Sequence, residues 1–145
     1  MKEIPIGLIG FGTIGTGVVK LLRQNEELIT KKLGARLVIK KIADIDITTP
    51  REVRVHKGLL TRDAREIIND KDIPIIIELM GGYEPARTFV LEAVANGKHV
   101  VTANKALLAT HGNEIFPPAQ QQSVNIGLEA GVGGTIRISK TLKEN

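Results

Sequence analysis

Residues 4–15 read IPIGLIGFGTIG, an apolar run that ends in three glycines, Gly10, Gly12 and Gly15, at the spacing GxGxxG. A strand, a tight turn and the start of a helix account for this pattern. Each glycine then has its own task. Gly10 allows the sharp turn, Gly12 lets a pyrophosphate approach the backbone, and Gly15 lets the helix pack closely on the strand. The free N–H groups of such a turn and the positive end of the helix dipole favour an anion by roughly 0.3 to 1 kcal/mol, or about 2 when partly buried. Glycine makes up 15 of the 145 residues, so the motif alone is also compatible with a glycine-rich turn that binds nothing.

Outward from the turn, apolar residues at helical spacing predict a long helix from Thr13 towards Lys32, closed by Gly34. Leu37 to Ala43 is the second strand and ends at Asp44. The segment from Ile47 to Leu60 reads as turns with a short extended piece at Glu52 to Val55. Asp63 to Asn69 follows as a helix after a capping Thr61. Pro74 to Met80 is apolar except for Glu78, as in a parallel strand buried on both faces. A helix spans Glu84 to Asn96, Lys98 to Thr102 is the fourth strand, and Asn104 begins a helix that the Pro117-Pro118 pair breaks or kinks. Val124 to Leu128 is the fifth strand, and Thr135 to Leu142 a last amphipathic piece.

This alternation predicts an α/β fold, a doubly wound parallel sheet of the Rossmann dinucleotide-binding type, as one domain over residues 1–145. The strand Ile4 to Ile9 is expected at its centre, flanked by the second and fourth strands. The strand ends at Gly10, Asp44, Met80, Thr102 and Glu129 then line the edge where such sheets bind ligands.

Composition narrows the function classes. There is no cysteine, which excludes disulfides, thiolate catalysis and Cys-ligated metals. No apolar run reaches the roughly 18 residues of a membrane span, and the N-terminus has no signal-peptide pattern, so a cytoplasmic protein is expected. The net charge is +4, but the basic residues are scattered. Only Phe11, Tyr83, Phe89 and Phe116 could stack on bases, so a phosphorylated cofactor accounts for the charge better than nucleic acid does.

Asp44 stands where an acidic residue would bond the ribose hydroxyls of NAD, further from Gly15 than the usual ~20 residues. Asp46 competes for that role. Arg51, with Lys40, Lys41 and Lys57, is near enough in sequence to meet a 2′-phosphate instead, so NAD and NADP both stay open. Thr102, Asn104 and Lys105 lie where the fourth strand ends and can converge on the nicotinamide end. Gly81, beside Met80 on the same edge, joins the cofactor set. Glu78 is expected to be structural, bonded to nearby backbone. His56, His99 and His111 lack ligand spacing or an evident acidic partner and read as ordinary.

Four stretches, GFGTIG at 10–15, ELMGGYEPA at 78–86, VVTANKALLATHG at 100–112 and EAGVGG at 129–134, together resemble homoserine dehydrogenase along the whole chain. VTANKALLA after MGG is the most specific of these signals. The resemblance implies NAD(P)-linked interconversion of homoserine and aspartate 4-semialdehyde, on the path to threonine and methionine. It places the nucleotide turn on Phe11, Gly12, Thr13, Ile14 and Gly15, and a lysine at the nicotinamide on Lys105. It also implies a monovalent-cation loop, such as one for Na+, at Glu129 with the carbonyls of Val132, Gly134 and Ile136. This chain has Thr135-Ile136-Arg137 where the family usually has a further Gly and a Pro. A substrate domain is expected downstream, as are a small-molecule substrate and a homo-oligomer in the full-length protein, with no nucleic-acid or membrane partner. The alternatives are a stand-alone nucleotide-binding or redox-sensing module, or the cofactor domain of another dehydrogenase.

Overall fold

The structure is a computed structural model that describes residues 2–128. Its six strands are β1 (Glu3–Ile9), β2 (Arg36–Ala43), β3 (Leu60–Thr61), β4 (Ile75–Glu78), β5 (His99–Thr102) and β6 (Ile126–Leu128). Its helices are α1 (Thr13–Gln24), α2 (Glu26–Leu33), α3 (Arg65–Ile68), α4 (Ala86–Ala95) and α5 (Lys105–Gln121). All the strands are parallel, in the order β3-β2-β1-β4-β5-β6. The chain therefore reverses direction across the sheet between β1 and β4. In open parallel sheets ligands bind outside the carboxyl ends of the strands at such a reversal.

Side chains alternate between the two faces of each strand, which explains why the central strands are apolar throughout. Ile6 and Leu8 of β1, Ile75 and Ile77 of β4 and Val101 of β5 pack with Val19, Leu22 and Ile29 of α1 and α2. Ile9, Ile76 and Val100 point the other way, among Ile67, Val90, Val94 and Leu107 of α3, α4 and α5. Burying each such side chain contributes about 1.5 to 3 kcal/mol. Among the described residues every buried side-chain nitrogen and oxygen has a hydrogen-bond partner. Lys98 illustrates this, since its buried ammonium donates to Asp70 O and Ile73 O while desolvation holds its pKa below the usual lysine range. Among the described residues no helix is long and apolar enough to cross a membrane.

Four expectations are corrected. The strand beside β1, opposite β2, is β4 rather than the strand at Lys98 to Thr102, because the run with the most apolar character on both faces takes the doubly covered place. The long first helix is interrupted at Asn25 (φ −109°, ψ 17°), whose backbone N–H and side-chain Nδ2 both donate to Leu21 O. Gly34 does close α2, in the left-handed conformation. Glu52 to Val55 is not a strand; the ladder to β2 is made instead by Leu60 and Thr61, too short a pair to stand out in a sequence. Finally, α5 runs straight through Pro117 and Pro118. Each proline removes a helix hydrogen bond, at a cost near 3 kcal/mol. The buried face of Leu107, Ile115 and Ala119 continues on both sides of the pair and holds the helix on the sheet.

One contact sets how closely α3 approaches the sheet. A Cβ built on Gly7 would lie 2.3 Å from Cγ2 of the fully buried Ile67. Alanine would gain roughly 0.5 to 1 kcal/mol over glycine in strand propensity, but overpacking a rigid core costs about 1 to 3 kcal/mol. Gly7→Ala should therefore destabilise the domain by about 1 to 2 kcal/mol in urea unfolding. An unchanged midpoint would show that α3 moves aside freely.

Candidate functional site

The three glycines of the turn have different surroundings. Gly10 has φ +110°, and a Cβ on it would meet Leu79 O at 2.8 Å. A Cβ on Gly15 would meet Gly10 O at 2.3 Å, so the first turn of α1 lies directly on the backbone of the loop. A Cβ on Gly12 would meet nothing within 4 Å. Gly12 thus faces open space on the ligand side, as the spacing of the motif requires.

Gly12 is the N-cap of α1 and provides no side-chain cap. The first bond of the helix runs from Thr16 N–H to Gly12 O at 2.8 Å. The N–H groups of Thr13, Ile14 and Gly15 precede that bond and have no partner within the helix. They open on a cleft of about 560 Å³ lined by Phe11, Gly12, Thr13, Thr16, Lys20 and Arg51, among others. Uncapped donors, a helix dipole and the Arg51 guanidinium at one opening suit a phosphate-bearing ligand, while Lys20 there pairs with Glu52 at 3.7 Å.

On the β2 side the wall of this cleft is tied to the turn. Asp44 Oδ2 accepts from Phe11 N–H at 2.6 Å, and its Oδ1 accepts from Asp46 N–H at 3.0 Å. Arg51 lies over the Phe11 ring, 4.8 Å from its centroid, and donates from Nε to Phe11 O at 2.6 Å. Its Nη1 and Nη2 donate to Thr49 O and Asp46 O. The Asp46 side chain turns back to accept from the N–H groups of Thr49 and Thr48, and hydrogen bonds from these two threonines hold its carboxyl well below the usual carboxylate range. Asp46 therefore builds the loop that carries Arg51, while Asp44 stands at the turn itself.

On the β4 and β5 side, Glu78 is fully buried and accepts from Met80 N–H at 2.8 Å and from Thr102 Oγ1. That satisfies the expectation of a structural carboxylate. Thr102 reaches the edge as predicted, but its hydroxyl points into the protein, donating to Glu78 and accepting from Asn104 N–H. Asn104 caps α5 through Leu107 N–H at 3.0 Å and donates to Gly82 O. The expected convergence of these polar groups on a ligand is corrected accordingly: the side chains of Thr102 and Asn104 bond to protein. Lys105, next in sequence, is exposed, and no described residue bonds its ammonium. Gly81 and Gly82 form an exposed turn with φ of +78° and +71°. His111 also departs from expectation, since its Nδ1 meets Glu114, which is bonded in turn to Arg87. The i, i+3 spacing of His111 and Glu114 was the signal for that pair. Glu129, Val132, Gly134 and Ile136 lie outside the described residues.

The family described as homoserine dehydrogenase, NAD binding domain, matches residues 10–129. The chain belongs to this family. It is similar to homoserine dehydrogenases of Bacillus subtilis, at 39% identity, and of Neisseria gonorrhoeae, at 43%, each over 99% of this chain and 33% of the relative. A crystal structure of S. aureus homoserine dehydrogenase at pH 7.0 superimposes with a TM-score of 0.82 and 41% identity, over 90% of this chain and 33% of that one. The chain thus spans about a third of the length of these relatives. The S. aureus homoserine dehydrogenase shares the parallel α/β fold found here.

The surroundings of the glycines predict opposite outcomes for two substitutions. Gly12→Val should leave thermal unfolding close to wild type and abolish binding of NADH and NADPH in calorimetric titration. Gly15→Ala should lose stability, because its new methyl group meets backbone rather than solvent. Equal cofactor affinities for wild type and Gly12→Val would remove the ligand site from this turn.

Proposed function

We propose that this chain is the cofactor-binding part of an NAD(P)-dependent homoserine dehydrogenase, which interconverts L-homoserine and L-aspartate 4-semialdehyde. The observation that carries the reading is the cradle at Gly12, where uncapped N–H groups face a cleft with room for a pyrophosphate. A bound nicotinamide supplies the hydride chemistry. The chain's own residues bind and orient. Gly10, Phe11, Gly12, Thr13, Ile14 and Gly15 hold the pyrophosphate, Asp44 and Arg51 border the adenosine end, and Gly81, Lys105 and the main chain at Thr102 serve the nicotinamide end. The Lys105 ammonium stands at the first residue of α5, where the helix dipole disfavours a cation. A developing alkoxide on the substrate would offset that cost. At ~4 Å and an effective dielectric of 20 the attraction is about 4 kcal/mol before desolvation. An ammonium at that place suits electrostatic stabilisation or proton donation in the reducing direction.

Arg51 favours NADP as the cofactor. Arg51 has bonded three of its five N–H donors and borders the cleft together with Lys20, while Asp44, 3.9 Å from Arg51 Nη2, accepts from the backbone N–H groups of Phe11 and Asp46. The resemblance of EAGVGG alone supports a monovalent cation at Glu129 with the carbonyls of Val132, Gly134 and Ile136. In the same reading residues 1–145 are one cofactor domain of a cytoplasmic, homo-oligomeric enzyme whose substrate-binding groups lie in sequence beyond this chain.

Two measurements test this reading. Arg51→Ala should weaken NADPH binding roughly tenfold or more, as loss of a charged hydrogen bond to phosphate would, while changing NADH binding much less. Parallel losses would assign Arg51 to the loop alone. The 145-residue chain should bind the cofactor yet scarcely oxidise homoserine when NAD(P)H absorbance is followed. Positioning the substrate can represent roughly 7 to 11 kcal/mol of the barrier, and no clamp for its amino and carboxylate groups stands among the described residues. Turnover at an ordinary enzymatic rate would place the substrate site within this chain.

A further inference from the structure

Glu78 ends β4, Thr102 ends β5, and the parallel register sets them side by side. Both are completely buried. Their side chains belong to one continuous run of hydrogen bonds that starts at Met80 N–H, passes through Glu78, Thr102 and Asn104, and finishes on Gly82 O. A branch from Asn104 Oδ1 reaches Leu107 N–H and caps α5. The network therefore begins and ends on the turn that follows β4, and in between it holds the start of the helix that carries Lys105. A buried carboxylate must give up its hydration, a cost that an apolar residue in this strand would not incur. Gly81 and Gly82, meanwhile, have no side chains to anchor their left-handed turn, so the bond from Asn104 to Gly82 O is what ties it to the fold.

We propose that Glu78, acting through Thr102 and Asn104, is a positioning residue for the nicotinamide half of the site. This rests on the dinucleotide reading above. A dinucleotide that crosses the switch point places its halves on opposite sides of β1. Phe11, Asp44 and Arg51 occupy the β2 side, so the nicotinamide half lies towards β4 and β5. There the network sets the spacing between the Gly81-Gly82 turn and Lys105. Only acceptors face the two donors, Met80 N–H and Thr102 Oγ1. Glutamine at position 78 presents its amide hydrogens to one of them in either orientation and so breaks the polarity of the run.

The test compares NADPH with adenosine 2′,5′-bisphosphate, which lacks the nicotinamide, on the wild-type chain and on Glu78→Gln, Thr102→Val and Thr102→Ser. Affinities come from calorimetry, with NADPH fluorescence as the signature of a held nicotinamide. Glu78→Gln and Thr102→Val should weaken NADPH binding roughly tenfold and lower the fluorescence enhancement, while adenosine 2′,5′-bisphosphate stays within about twofold of wild type. Thr102→Ser keeps the hydroxyl and should behave as wild type. Should Glu78→Gln unfold, the two Thr102 variants decide. Equal losses for both ligands, or no loss for either, would overturn the positioning role and leave the dinucleotide reading intact. A wild-type chain that binds neither ligand would overturn that reading and this inference with it.

Discussion

Three stretches of backbone meet at Gly10 with no room for a methyl group between them. The end of β1 turns at Gly10, the backbone after β4 passes at Leu79, and the first turn of α1 rests on the loop at Gly15. Main chain cannot move aside as a side chain can, so this approach fixes where α1 begins relative to the sheet. It also sets the uncapped end of α1 on the cleft lined by Phe11, Thr13 and Arg51. The cleft beside Gly12 is a consequence of that packing.

Around this junction the polar groups of the site are held mainly by one another. On the β2 side Asp44 holds Phe11 N–H, Arg51 holds Phe11 O and lies over its ring, and Asp46 shapes the loop that delivers Arg51. On the other side the Glu78 network joins the turn after β4 to the start of α5. Buried hydrogen bonds of this kind cost free energy when any member is missing, which favours a single arrangement. Thr13, Ile14, Gly81 and Lys105 are left facing outward from that rigid frame.

Much of this was legible in the residues. GxGxxG marked the turn, because Gly10 and Gly15 leave no room for a Cβ and Gly12 keeps the space beside it open, and Gly34 marked the end of α2. Glu78 within an apolar run announced a carboxylate in need of partners. Other features had no local signature. A two-residue strand such as β3 is defined by its neighbour β2. The path of α5 through two prolines depends on the core beneath it, and the break at Asn25 lies within residues whose helical pattern continues on both sides.

By itself the sequence determined the class of fold, the glycine turn at the head of α1 and the placing of Gly10, Asp44, Met80 and Thr102 at strand ends, because periodicity and glycine geometry act over a few residues. Only the tertiary structure decided which strand stands beside β1, and that the side chains of Thr102 and Asn104 bond inward while Lys105 does not. It alone set Arg51 over Phe11. The physical reason is register: partners such as Glu78 and Thr102, or Phe11 and Arg51, are far apart along the chain, and their meeting depends on how strands pair and helices pack rather than on any local preference.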